Sequence, residues 1–229
     1  MLGTIVNSLS ILIGGLIGSQ VKDNISNKYN ETIMKSIGLA VILIGLKDAL
    51  LCKDILLLII SLTVGSFIGE FIGIENRLNN LGLWLEKRFT SNRGGIANGF
   101  VTTSLVYCVG AMAIMGSLES GISNNHTILY AKSLIDGISA LVFSSTLGIG
   151  VMFSSISVLL YQGIITLSAS YMKQFLTTSV INEMSAIGGL LIVGIGLNML
   201  EIKRIRIGNM LPSIFIPLIY YIIRSAIGI

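Results

Sequence analysis

Charge is what this sequence has least of. Only 11% of its 229 residues are Asp, Glu, Lys or Arg, while 53% are hydrophobic. A soluble domain carries about a quarter charged residues because water must wet its surface, so a water-soluble globule is excluded. Proline is almost missing, with 2 residues, and aromatics make up 7%, so the hydrophobicity rests on Ile, Leu and Val. The two cysteines, Cys52 and Cys108, lie far apart in apolar surroundings and form neither a disulfide framework nor a metal-ligand pattern. The single histidine, His126, stands in a polar loop without a partner, so no metal site is expected. Gly148-Ile-Gly150 is not followed by Lys-Ser/Thr, so it is no phosphate loop, and metalloprotease motifs are absent. No enzyme activity and no cofactor are expected. The net charge of +4 does not indicate nucleic acid, because the basic residues collect at the ends of apolar segments. The N-terminus lacks the basic region and cleavage site of a signal peptide and reads as a retained first span.

What is abundant is apolar sequence in regular runs, and glycine, at 26 residues. The runs lie near Gly3–Gly18, Ile33–Leu50, Ile55–Gly73, Ala97–Gly116, Leu129–Phe143, Leu147–Ser168, Ala186–Leu200 and Ile207–Ile223. Most approach the ~20 residues that cross ~30 Å of hydrocarbon. The expected fold is all-α, a polytopic transmembrane helix bundle of about eight spans, or about seven if one segment is re-entrant. The fifth run is short, holds Asp136 and meets the sixth with hardly any loop. It reads as a full span, a broken helix or a re-entrant hairpin. Glycine in an apolar chain suits close helix contact in lipid. Gly65, Gly69 and Gly73 at four-residue spacing form one packing face, and Gly110 sits mid-span among small residues. Such faces also suit self-association as a homodimer.

Residues 74–96 form the one substantial polar segment, an interfacial amphipathic linker in which Ile74, Leu78, Leu81, Leu85 and Phe89 recur at helical spacing beside Trp84. Basic clusters follow the first, third and seventh runs: Lys22, Lys28 and Lys35; Lys87, Arg88 and Arg93; Lys203, Arg204 and Arg206. An even span count with an outside N-terminus places all three in the cytoplasm, as the positive-inside rule asks. The Ser120–Thr127 loop, free of Lys and Arg, then falls outside; Lys47 and Lys53 are exceptions. Loop charges fit the bacterial inner membrane.

The chain reads as a single membrane domain with a weak internal repeat. Gly3 to Leu12 matches Gly150 to Leu159, which sets Ser8 opposite Ser155 and Ser10 opposite Ser157. Asn30-Glu31 matches Asn182-Glu183, and Val64-Gly65-Ser66 matches Ile207-Gly208-Asn209. Residues 1–73 then form a first three-span copy and 147–229 a second, with two central segments in 97–146. Five spans between the starts would invert the second copy, the plan of many secondary transporters.

Charge at membrane depth is costly and tends to line a path or to pair within the bundle. Glu70 lies beside the glycine face, with a hydrated end or a pair with Arg77 as the plain alternative. Asp136 stands one turn after Lys132, which a simple i,i+4 pair would explain. Asn7, Ser8 and Ser10 recur as Ser154, Ser155 and Ser157, followed by Gln162. Hydroxyl and amide oxygens replace water around a small cation or hold a polar solute; interhelical hydrogen bonding is the competing use.

Several motifs carry a family resemblance: Gly65-Ser-Phe-Ile-Gly-Glu70, Leu105-Val-Tyr-Cys-Val-Gly-Ala-Met-Ala-Ile-Met-Gly-Ser-Leu118, Ala131-Lys-Ser-Leu-Ile-Asp-Gly137, Tyr161-Gln-Gly163, Asn182-Glu-Met184, Gly196-Leu-Asn198 and Gly208-Asn-Met-Leu-Pro212. The chain resembles, from end to end, the bacterial membrane proteins of domain of unknown function family 554, the YdfK/YqgA-like group. That resemblance implies a multi-spanning protein, sometimes labelled a sodium channel or pump. The leading expectation is a small membrane transporter or channel for a cation, sodium among them, or for a small polar solute. The alternative is a non-transporting membrane scaffold or sensor, and the lipid bilayer is a partner in either case.

Overall fold

The computed structural model describes residues 1–22, 27–89, 96–172 and 175–227. Among these residues the regular elements are all helical: α1 (Leu2–Lys22), α2 (Asn27–Ala49), α3 (Ile55–Ile72), α4 (Ile74–Phe89), α5 (Ile96–Cys108), α6 (Ala111–Ile122), α7 (Thr127–Leu147), α8 (Gly150–Met172), α9 (Thr178–Met199), α10 (Ile207–Met210), a 3-10 turn (Leu211–Phe215) and α11 (Ile216–Ile227). Of the basic clusters, Arg93 and the side chains of Lys22, Lys28, Lys87 and Arg88 lie outside what is described, as do the side chains of Leu85 and Phe89 on α4.

Among the described residues, six stretches are long and apolar enough to cross a membrane: Leu2–Gln20, Ile55–Ile72, Thr127–Leu147, Gly150–Tyr171, Thr178–Met199 and Ile207–Arg224. α5 and α6, bent by 61° at a short break, make up to 7 when taken as one passage. α2 supplies the remaining apolar run of the sequence; its middle is apolar, and Glu31, Lys35, Lys47 and Asp48 crowd its ends. The polytopic helix bundle expected from the sequence is therefore the fold.

The fifth run takes its full-span reading, an unbroken 21-residue helix, α7. Two glycines differ from expectation, and a break lies one run earlier. There Gly110 has φ 115°, a backbone state that side-chain-bearing residues rarely adopt, so it makes the corner between α5 and α6 rather than a mid-helix crossing. Gly73 is not a packing glycine either. It caps α3 at φ 71°, its N–H donating to the Gly69 and Glu70 carbonyls, and a methyl there would meet nothing.

The helices gather into two compact units interleaved along the chain. The first holds Met1–Ile37, Arg77–Cys108 and Met112–Ser170; the second holds Gly38–Asn76, Val109–Ala111 and Tyr171–Ile229. Each draws on both halves of the sequence.

In the first unit, helix periodicity sorts side chains in the sense opposite to a soluble protein. α1 buries Thr4, Asn7, Ser8, Ile11, Gly14 and Gly18 on one face, and exposes Leu2, Ile5, Leu9, Ile13, Leu16 and Ile17 on the other. α7 buries Lys132, Ser133, Asp136 and Ala140 while Leu134, Ile135 and Ile138 point out. Apolar surface on this scale is unstable in water and is the natural covering toward lipid. The backbones meet closely where side chains vanish: a methyl on Gly14 would run into the Gly137 carbonyl, and one on Gly18 into that of Leu141. α8 joins through Gly15, which packs on Met152, and through Ser8, which donates to the Ser155 carbonyl at 2.8 Å.

The second unit follows the same rule. α3 buries Leu57, Ser61, Gly65 and Gly69 and exposes Phe67 and Phe71 at 76% and 88%. Gly65 lies against Ser213 and Gly69 against the Asn209 carbonyl, while Gly45 of α2 meets Gly189 of α9.

Candidate functional site

The first unit holds a polar face that is buried in mid-helix. Asp136, 4% exposed, follows Lys132, 7% exposed, by one turn of α7, so both reach the same side. Lys132 Nζ lies 3.0 Å from both Asp136 oxygens. The second of these also accepts from Asn7 Nδ2 of α1 at 3.0 Å. A lone buried carboxylate would cost several kcal/mol, and this one has both an opposite charge and an amide donor. Next to it Ser139 donates to the Asp136 carbonyl at 3.0 Å and lies 3.4 Å from the Tyr107 hydroxyl of α5.

Polar contacts extend along α8. Thr166 and Thr4 hydroxyls are 3.3 Å apart, and Ser104 of α5 donates to Ser157 at 3.0 Å. Some groups, however, are unmet. Asn7 Oδ1 and both amide atoms of Gln162 are buried without a hydrogen-bond partner, and each residue is 0% exposed. An orphaned amide in low dielectric costs about 1–3 kcal/mol. Gln162 lies on the same face of α8 as Ser155 and Thr166, the face that meets α1. Uncommitted polar atoms thus stand on the facing helices α1 and α8, and Asn7 carries its one beside the neutralised charge pair, an arrangement that can accept a small polar guest.

Of the residues singled out from the sequence, Asn7, Ser8, Asp136, Ser154, Ser155 and Gln162 are all buried in this unit. Ser10 and Ser157 are partly buried there, Ser10 packing on Gly137. Not every serine is available: Ser154 donates to the Val151 carbonyl of its own helix at 2.6 Å. Glu70 belongs to the second unit, at the end of α3. Its carboxylate is 59% exposed and pairs with Arg206 at 2.8 Å, and it accepts from Asn209 Nδ2 at 2.5 Å. The partner imagined from the sequence, Arg77, is replaced by Arg206. His126 bonds Ser120 through Nδ1 at 2.9 Å in its loop.

Sequence reasoning passed over Lys132 as part of the polar face, and over Thr4, Tyr107, Ser139 and Thr166. Thr4 had a signal, since it shares the helical stripe of Asn7 and Ser8. Tyr107 had none, because only the packing of α5 on α7 brings its hydroxyl there. A second buried acid, Glu183, figures in the sequence only within the repeat and the family motif Asn182-Glu-Met184. It is 1% exposed, and its Oε1 accepts from the Lys53 and Asp54 amides at 2.9 and 3.1 Å at the start of α3. Cys52 lies beside it in the turn before α3. Burial and the negative Glu183 push that thiol above its ordinary range.

Comparison with known proteins agrees with the fold. The family model described as "Protein of unknown function (DUF554)" matches residues 2–222. The "Uncharacterized membrane protein YdfK" of Bacillus subtilis (strain 168) is 34% identical over 236 residues, covering 100% of this chain and 99% of that protein. The "Uncharacterized protein YqgA" of Escherichia coli (strain K12) is 26% identical over 223 residues, 95% of each chain. No solved structure matches. An apolar helix bundle matched from end to end in this way is a membrane protein, and the chain belongs to the DUF554 family.

Proposed function

We propose that this membrane protein is a small transporter or channel for a cation, sodium among the candidates, or for a small polar solute. The observation that carries the reading is the Lys132–Asp136–Asn7 cluster. It is buried within helices whose other faces are apolar, and the unpartnered Asn7 Oδ1 and Gln162 amide are buried on the facing sides of α1 and α8. A purely structural role would not call for such groups, since replacing a buried ion pair by apolar residues is often neutral or stabilising. Ionisable residues at such depth mark solute and ion paths.

Two further features support the reading. Each helix of residues 1–73 packs on the helix that the sequence repeat pairs with it. α1 lies on α8 at Ser8 and Ser155, α2 on α9 at Gly45 and Gly189, and α3 on α10 and the following turn at Gly69 and Gly65. Inverted repeats meet in this way at the interface where secondary transporters hold substrate. Loop charge sets the orientation: the N-terminus outside, Lys203, Arg204 and Arg206 in the cytoplasm, and the bacterial inner membrane as the location.

The test is sodium uptake into liposomes carrying the purified protein, beside folded Asp136→Asn and Glu70→Gln variants. Uptake above empty liposomes is expected. It falls to the empty level in Asp136→Asn and drops less in Glu70→Gln, because Glu70 is an exposed, paired residue at a helix end. Absence of flux for sodium and for other small cations, under a gradient or an imposed potential, would overturn the cation reading and favour a scaffold or sensor.

A further inference from the structure

The Asp136 carboxylate cannot take a cation as it stands. Lys132 Nζ lies 3.0 Å from both of its oxygens, and the side chains are only 9% and 5% exposed. Together they carry no net charge. A sodium ion entering beside the intact pair would leave an uncompensated positive charge in a low-dielectric interior, which is prohibitive. One event removes that penalty. If Lys132 gives up its proton, a carboxylate oxygen is vacated and the cluster becomes negative. Asn7 is already oriented for the exchange, with its amide nitrogen on Asp136 and its carbonyl oxygen buried nearby with no partner. Gln162 holds a second uncommitted amide on the face of α8 that meets α1. A carboxylate with neutral amide oxygens is a fitting ligand set for a small hard cation.

We infer that a monovalent cation and the Lys132 ammonium compete for Asp136, so that the protein exchanges one cation for one proton. This rests on the transport reading above and specifies its coupling. On one side of the membrane the cation binds Asp136 as Lys132 passes its proton to water on that side. On the other side the cation leaves and the Lys132 amine takes a proton from water there. One positive charge moves each way, so the cycle carries no net charge. The other titratable groups facing the pair are few. α5 brings Tyr107, whose hydroxyl lies by Ser139, and Cys108, within electrostatic reach of both charges. α8 brings Tyr161, beside Cys108. α1 brings none there, and the acid of α6, Glu119, is held by Asn125 in the loop.

Lys132→Arg is the decisive variant. A guanidinium keeps the charge and the pairing but does not release its proton. The experiment uses liposomes carrying the full-length protein and a trapped pH-sensitive dye, with radioactive sodium outside and the potential clamped at zero. Wild type is expected to take up sodium while the lumen turns alkaline. Lys132→Arg, folded as judged by a monodisperse profile and thermal unfolding, is expected to do neither. Lys132→Ala is expected to take up sodium without a pH change and to respond to an imposed potential. Sodium uptake in wild type with no alkalinisation, or exchange in Lys132→Arg equal to wild type, would overturn the coupling while leaving transport intact. Failure of wild type to move sodium, lithium or potassium would overturn transport itself.

Discussion

The two units hold acidic groups in different ways. In the second unit the acids stand at helix ends. Glu183 caps the start of α3 through the Lys53 and Asp54 amides, and Glu75 accepts from the Gly208 amide at 2.7 Å. Glu70 meets Arg206 and Asn209 just before the α3 cap. Helix starts offer free N–H groups, so Glu183 and Glu75 are held by the backbone and tie one segment to another. Glu70, at a helix C-terminus, is instead held by side chains at an exposed position. In the first unit Asp136 lies in the middle of α7, where every backbone N–H is already used by the helix. Its only recourse is side chains, Lys132 and Asn7. A carboxylate fastened by backbone is fixed; one fastened by a lysine can be released. That difference separates Glu183 and Glu75 from the acid on which the proposed transport rests.

The sharpest way to break this contrast is to remove the charges of the first unit singly and together. Lys132→Ala or Asp136→Ala leaves a buried charge alone and should cost about 3–5 kcal/mol, while the double variant should recover most of that loss. Thermal unfolding in detergent of all members of the cycle checks this. Additive losses would mean that the pair is not coupled. A smaller effect is expected at the glycines of the second unit. Gly69→Ala would force a methyl into the Asn209 carbonyl and should cost about 1–3 kcal/mol or more. Gly73→Ala meets no neighbour and bears only the left-handed backbone strain of about 1–2 kcal/mol. The ranking of their unfolding temperatures tests whether that face packs at Gly69 but not at Gly73.

Arg206→Ala should change stability by under about 1 kcal/mol, because both partners of its ion pair with Glu70 are more than half exposed. A loss as large as that of Asp136→Ala would erase the distinction between the units. The smallest effect concerns reactivity. The Cys52 thiol is raised by burial and by the Glu183 charge, so it stays protonated, and slow to alkylate, to a higher pH than a free thiol. Removing the charge in Glu183→Gln lowers the thiol's range again. The alkylation profile, measured in a Cys108→Ala background, should shift toward lower pH. An unshifted profile would mean that Glu183 does not act on Cys52.

Much of this was legible in the residues. The apolar runs place the spans because hydrocarbon thickness sets their length. Asn7 and Ser8 declare an inward polar face because no lipid-facing residue would be polar at that spacing. Asp136 with Lys132 at i,i+4 foretells the pair, since helix geometry alone brings them together. Glu70 was legible in part: the run ending at Gly73 left a hydrated helix end open, and the structure finds Glu70 there, but its partner Arg206 lies 136 positions away and could not be read from α3.

By itself, then, the sequence determined the medium, the helical class and the local i,i+4 contacts, because hydropathy and helix period act over short stretches of chain. Only the tertiary structure decided that Asn7 meets Asp136 across 129 positions, that Arg206 answers Glu70 across 136, and that the broken passage is the fourth and not the fifth. These outcomes depend on which helices pack together. In lipid that choice is made by the close approach of small residues such as Gly14 and Gly137, whose fit is a property of two surfaces and not of either segment alone.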